Sequence, residues 1–160
     1  MNKKTTLLSM IVLANAACST TSSVQQTVEE VNIECSFEMQ AARTAIRLRD
    51  KGKPESSLKA QLVPLDEKSS RLLIKMHEIT DEVYAATGLN EVVYSTYRFE
   101  LCQREFLQKP RPASIDAVLP DLLKCQDKYA NKSSVNSTNC ILAAIDNNSL
   151  HNAVTNEEIK

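Results

Sequence analysis

The chain has 160 residues, 42% of them hydrophobic and 24% charged, and a formal net charge of −1. That balance suits one globular domain, with no basic excess for nucleic acid and no acidic run for storing cations. Only two glycines occur, fewer than the turns of a β-rich fold usually need. An all-α fold is therefore expected, a compact helical bundle of about five to six helices stapled by two disulfides.

Asn2, Lys3 and Lys4 open the chain, followed by an uncharged apolar run from Thr5 to Leu13 and then small and polar residues. This is the layout of a secretory signal. The run is shorter than the roughly 20 residues of a bilayer-spanning helix. Two processing routes stay open. Ala14-Asn15-Ala16 is a small-x-small cleavage site that would free Ala17. Ala16-Ala17-Cys18 resembles the end of a bacterial lipobox, with Asn15 where that motif usually carries Leu. On that route Cys18 is the lipid attachment site, and the polar residues after it form a tether. Parity favours this route. Five cysteines occur, and lipidating Cys18 leaves an even four in an oxidising compartment. The expected division is a signal peptide over 1–17, a disordered tether over 18–27 and a helical core over 28–109. A C-terminal helical hairpin over 110–146 packs on the core, and 147–160 is a flexible tail.

The first helix is expected from Val28 to Lys51, with acids early (Glu29, Glu30, Glu34, Glu38) and bases late (Arg43, Arg47, Arg49, Lys51). That order suits the helix dipole. Cys35, Met39, Ala42 and Ile46 share one face at helical period. Pro54 starts a short helix over 55–63. Asp66 is the expected N-cap of a helix over 67–87, in which Leu72, Met76, Ile79 and Val83 recur at i, i+4, i+7 and i+11. Gly52 and Gly88 stand where the first and third helices stop. Asn90 caps a helix over 91–108. Ser95, Phe99, Cys102 and Phe106 form one face of it, and Val93, Tyr97 and Leu101 line up on another. It is therefore either wrapped on two sides or has a sticky outer face. After the extended Lys109-Pro-Arg-Pro112 joint, Ser114 caps a helix over 115–130 that Pro120 kinks or breaks. Residues 131–139 read as a polar loop, and 140–146 as a short last helix.

Four cysteines allow three pairings. Cys35 and Cys102 both lie on apolar faces of long helices, and Cys125 and Cys140 flank a short loop between adjacent helices. The favoured pairs are Cys35–Cys102 and Cys125–Cys140, in a structural role, since no Cys-x-x-Cys occurs.

Candidate chemistry is sparse. His77-Glu-Ile-Thr-Asp81 lacks the second His of a zinc-binding HExxH helix, and the other histidine, His151, lies in the expected tail. No G-x-S-x-G and no phosphate-cradling loop occur. No catalytic residue, metal ligand or cofactor is assigned, and a non-enzymatic role is expected; the alternative is an enzyme with a site dispersed along the chain, which a buried cluster of titratable residues in a cleft would mark. The basic stretch Arg43 to Lys53 is accounted for as helix-end charge. Asn131 and Asn136 match the glycosylation pattern but read as loop residues, because the signal has a bacterial layout. Tyr94, Tyr97, Arg98 and Leu101 are the candidate partner-binding residues, since Tyr and Arg are the usual interface anchors. The alternative is that they pack under the next helix or the tail.

Cys35, the Arg47-Leu-Arg49-Asp-Lys-Gly52 helix end, Val83-Tyr84 and Cys102 together resemble a broad group of small, exported bacterial helical proteins, many of them uncharacterised. The resemblance covers about residues 35–102. It implies location and fold more than activity. The expectation is an exported envelope protein, an outer-membrane lipoprotein facing the periplasm or the cell surface, or alternatively a soluble periplasmic protein. It would bind an envelope protein partner, touch the membrane through the Cys18 anchor and bind no nucleic acid. The alternatives are a helical carrier of a small apolar ligand, enclosed by the first, third and fourth helices, and, by analogy, a periplasmic immunity or inhibitor protein.

Overall fold

A computed structural model describes residues 27–129 and 133–157, with side chains of the last helix as far as Ser149. The expected signal, the tether through residue 26 with Cys18, Asn131 and the last three residues lie outside the described residues. Six helices and no strand occur among the described residues, so the fold is all-α.

α1 (Val28–Asp50) starts in a reciprocal cap. Glu30 N donates to Thr27 Oγ1 at 3.2 Å, and Thr27 N donates back to the Glu30 carboxylate at 2.8 Å. Two of the helix's unpaired first-turn donors are thereby satisfied. Gly52 follows its end at φ +75, a left-handed conformation that glycine takes without a Cβ clash.

α2 is a single turn, Glu55–Lys59, shorter than expected. α3 (Arg71–Ala85) starts later than Asp66 predicts, because Ser70 is the cap and its hydroxyl accepts from Leu73 N at 3.3 Å. Asp66 instead closes a local turn, accepting from Lys68 N at 2.9 Å and from the Ser69 hydroxyl at 3.0 Å. Short polar side chains make such bonds in competition with helix initiation.

α4 (Glu91–Phe106) is capped by Asn90, which accepts from Val93 N at 2.9 Å. α5 (Ile115–Tyr129) carries an exposed Pro120 without being ended by it.

α6 (Val135–Glu157) corrects two expectations, a loop reaching residue 139 and a tail from residue 147. The Ser134 hydroxyl accepts from Ser137 N at 3.1 Å and starts the helix early. At the other end Asn148 donates to Asp121 on α5 at 3.1 Å, and the buried Ser149 hydroxyl donates to Ile145 O at 2.7 Å. Tertiary bonding to α5 thus holds residues of modest helix propensity in the helix.

α4 is the central element. It packs on α1 along one side and meets α5 and α6 on the other. Both of its faces are therefore buried, which answers the two-sided pattern in its sequence. The core runs from Ala42 and Ile46 on α1 through Ile79 and Val83 on α3 to Leu122 and Ile145 on α5 and α6. Cys35–Cys102 ties α1 to α4, and Cys125–Cys140 ties α5 to α6, with Cα atoms 5.4 and 5.8 Å apart. These are the two pairs expected from the helix faces. Arg104 adds a polar tie, donating to Asp146 on α6 at 2.5 Å and to Pro110 O at 3.1 Å. No described helix is long and apolar enough to cross a membrane.

Candidate functional site

The four residues expected to form a contact face lie inside the bundle. Tyr94 is 0% exposed, Tyr97 1%, Arg98 5% and Leu101 9%. This corrects their assignment as partner-binding residues. They are packed within the fold, but Tyr94 and Arg98 meet α3 and α1, not the next helix or the tail as the packing alternative had it.

Arg98 lies between two carboxylates. It donates to Glu82 at 3.1 Å and to Glu38 at 3.3 Å. The Tyr94 hydroxyl donates to the same Glu82 oxygen at 2.8 Å. Arg71 extends the network, bonding Glu34 at 2.5 Å, lying 3.0 Å from Glu38 and covering the Phe106 ring at 4.5 Å. Lys75 joins it to Glu78 at 2.9 Å and Glu105 at 3.1 Å. Burial pushes the Glu38 carboxyl above its ordinary value, against the pull of Arg98, Arg71 and Lys75. Burial also raises the Tyr94 and Tyr97 hydroxyls. Desolvation opposes the Arg98 charge, but Glu82, Tyr94 and Glu38 outweigh it and keep the guanidinium ionised. The network's Glu38–Arg98 centre is buried among the helices, while Arg71, Glu34, Glu78 and Glu105 reach the surface. It pins α1, α3 and α4 together.

The remaining polar candidates are likewise used by the fold. His77 Nε2 lies 2.9 Å from Val63 O, holding the segment between α2 and α3. Asp81 pairs with Lys59 at 2.8 Å, so the His77–Asp81 stretch does not converge. Among the described residues no group of three or more His, Cys, Asp or Glu side chains converges for a metal ion. Arg49 donates to the carbonyls of Val83, Ala86 and Leu89 at 3.0, 2.9 and 2.7 Å. It thereby satisfies the end of α3 and the turn into α4. Arg47 forms a bidentate pair with Glu91, both bonds 2.6 Å.

Among the described residues an apolar groove of about 450 Å³ lies open between α1, α2 and α3. Ala41, Leu48, Leu58, Leu62, Leu72 and Met76 line it, and no charged residue does. Its hydroxyl and amide groups are largely turned onto their own helices. Thr44 donates to Gln40 O at 2.9 Å, Thr80 to Met76 O at 2.8 Å and Gln61 to Ser57 O at 2.8 Å. Phe37 stands at the rim, 57% exposed, and Ile33 lies beside it, 53% exposed. The groove differs from the cavity expected between the first, third and fourth helices, because α4 is spent on the core and α2 forms the third wall. Its sequence signal is a second stripe on α1. Ile33, Phe37, Ala41, Thr44 and Leu48 recur at i, i+4, i+8, i+11 and i+15, away from the Cys35 face.

Neither a protein-family model, nor a curated protein, nor a solved structure matches the chain.

Proposed function

We propose that this chain is an exported, envelope-anchored binding module without catalytic activity, whose contact surface is the α1–α2–α3 groove. The observation that carries the reading is the uncharged groove with the exposed Phe37 at its rim and the exposed Ile33 beside it. Contiguous exposed apolar surface of this kind marks interaction sites. The groove is open on one side, whereas small-ligand pockets enclose most of their ligand. An open apolar channel beside a helix suits the apolar face of a partner helix, read through anchors at i, i+3, i+4 and i+7. The uncharged lining also supports the second reading, a carrier of a small apolar molecule.

Export is supported by the signal layout and by two disulfides, which persist in oxidising compartments. Anchoring through Cys18 is supported by the lipobox-like Ala16-Ala17-Cys18 and by the pairing of the other four cysteines.

The test places a photo-crosslinking amino acid at Phe37 in cells, with Val135 as an exposed control remote from the groove. A discrete protein adduct from Phe37 alone is the expected result. Adducts with apolar small molecules alone would favour the carrier, and no adduct from Phe37 would remove the groove as a binding surface. Intact-mass analysis of protein from native membranes checks the anchor. A lipid-modified Cys18 N-terminus is expected, and an unlipidated chain beginning at Ala17 would refute it.

A further inference from the structure

We infer that the partner at this surface is a second copy of the chain, with the two α1 helices packed antiparallel about a two-fold axis near Phe37 and Gln40. The inference rests on the protein-binding reading of the groove and specifies its occupant.

The first argument is shape. Phe37 and Gln40 border two hollows at once, the α1–α2–α3 groove and a more open depression lined by Val28, Glu29, Asn32, Ile33 and Ser36. Phe37 is thus a ridge between two hollows. A two-fold axis at this point lays each Phe37 ring into a hollow of the other copy. Ridges entering grooves are how helices pack, and a two-fold contact must be self-complementary in this way.

The second argument is charge order. Along the outward face of α1, the acids Glu29 and Glu30 stand at one end and the bases Arg47 and Lys51 at the other; Glu30 also closes the Thr27 cap and Arg47 is paired with Glu91, so Glu29 and Lys51 carry the argument. The outward positions between them, Ile33, Ser36, Phe37, Gln40 and Thr44, are uncharged. Glu29 and Lys51 are about 33 Å apart along the axis at 1.5 Å per residue. Antiparallel pairing sets the acidic end of each helix against the basic end of the other. Parallel pairing would set like against like. The order also suits the helix dipole, but the dipole does not require acids and bases to flank an exposed apolar block on one face. An apolar small molecule or acyl chain would not read the order either.

The test uses the chain from residue 18 onward with Cys18→Ser, which carries neither a lipid nor a spare thiol. Sedimentation velocity over a wide concentration range is expected to show a monomer–dimer equilibrium. Glu29→Lys alone and Lys51→Glu alone each place like charges together at both ends of the contact. Each should weaken the dimer by about tenfold. Mixing the two variants makes both ends complementary again, so native mass spectrometry should show the 1:1 heterodimer in excess of either homodimer. Phe37→Arg should give a monomer with an unchanged thermal midpoint, because the residue is exposed. A chain that stays monomeric throughout would overturn the inference. So would a dimer indifferent to these three changes, or a mixture no better than the single variants. A monomer in solution whose Phe37 crosslinks a different protein refutes the second copy and leaves the groove reading standing. No protein adduct at all refutes both.

Discussion

Glu38 on α1 and Arg98 on α4 meet at 3.3 Å inside the bundle, 60 residues apart in the chain, with side chains only 1% and 6% exposed. Arg98 is the cation that Glu82 also needs, at 3.1 Å. Removing one member of a buried ion pair costs more than the pair is worth, because the other charge is left without its partner in low dielectric. Arg98→Met keeps much of the volume and removes the charge. It should lower stability by about 3 kcal/mol, read from urea unfolding with the disulfides intact. A loss under about 1 kcal/mol would mean that Arg71 alone holds Glu38, and that Arg98 does not pin α1 to α4.

Glu38 and Glu105 should give opposite pH slopes. Burial raises Glu38 above its ordinary 4.5, more than Arg98, Arg71 and Lys75 lower it. The folded chain then binds that proton more tightly than the unfolded one. Its contribution is present below the unfolded value and is lost as pH rises through the folded value. Glu38→Gln copies the protonated form. The stability difference between this variant and the parent should therefore move in the variant's favour as pH rises from about 4.5. For Glu105, burial is outweighed by the hydrogen bond from Lys75 and by the charges of Lys75, Arg71 and Arg111, so its carboxyl is lowered. That stability is present above the unfolded value and is lost on acidification. Glu105→Gln should cost most at neutral pH and least in acid. Denaturant unfolding of both variants across that range checks the two signs, and parallel profiles would contradict them.

Local patterns were readable before the structure, and long-range partners were not. The Cys35–Ala42–Ile46 spacing marked the buried face of α1. Asn90 and Gly88 bracketed the start of α4, with Gly88 at φ +87. Tyr94 and Arg98 at i, i+4 look the same whether their partner lies outside the chain or inside it. What decides is the approach of Glu38 and Glu82, from 60 and 16 residues away. Asp66 and Ser70 are both good caps, and the choice between them turned on a side-chain bond to Ser69. The Asn147-Asn148-Ser149 stretch reads as tail until Asp121 is seen bonding to Asn148. The groove was legible in part, as the second apolar stripe of α1. Its third wall depended on where a single-turn α2 would lie.

Tyr97 carries a prediction that burial reverses. As an interface anchor it would be dispensable for folding. At 1% exposure it fills the core beside Tyr94, ring centroids 6.3 Å apart. Tyr97→Ala opens a cavity and should cost about 3–5 kcal/mol. The measurement is the shift in urea midpoint. Normal stability with selective loss of a partner complex would restore Tyr97 to the surface role.

The two disulfides should differ in what they contribute. In the chain-entropy view a crosslink stabilises by restricting the unfolded chain, and the effect grows with the loop that it closes. Cys35–Cys102 spans 67 residues and Cys125–Cys140 spans 15. Removing the first as Cys35→Ala/Cys102→Ala should cost about 4 kcal/mol, and removing the second as Cys125→Ala/Cys140→Ala about 3 kcal/mol. A structural difference adds to the entropic one. The first bond lies beside the ion network, with Arg71 Nη2 3.8 Å from Cys102 Sγ, so its loss also loosens the contact that aligns Glu38 with Arg98. Combining Cys35→Ala/Cys102→Ala with Arg98→Met should therefore give a non-additive change in stability, whereas combining Cys125→Ala/Cys140→Ala with Arg98→Met should be additive. Equal additivity in the two combinations would separate the first disulfide from the network and leave loop length as its whole effect.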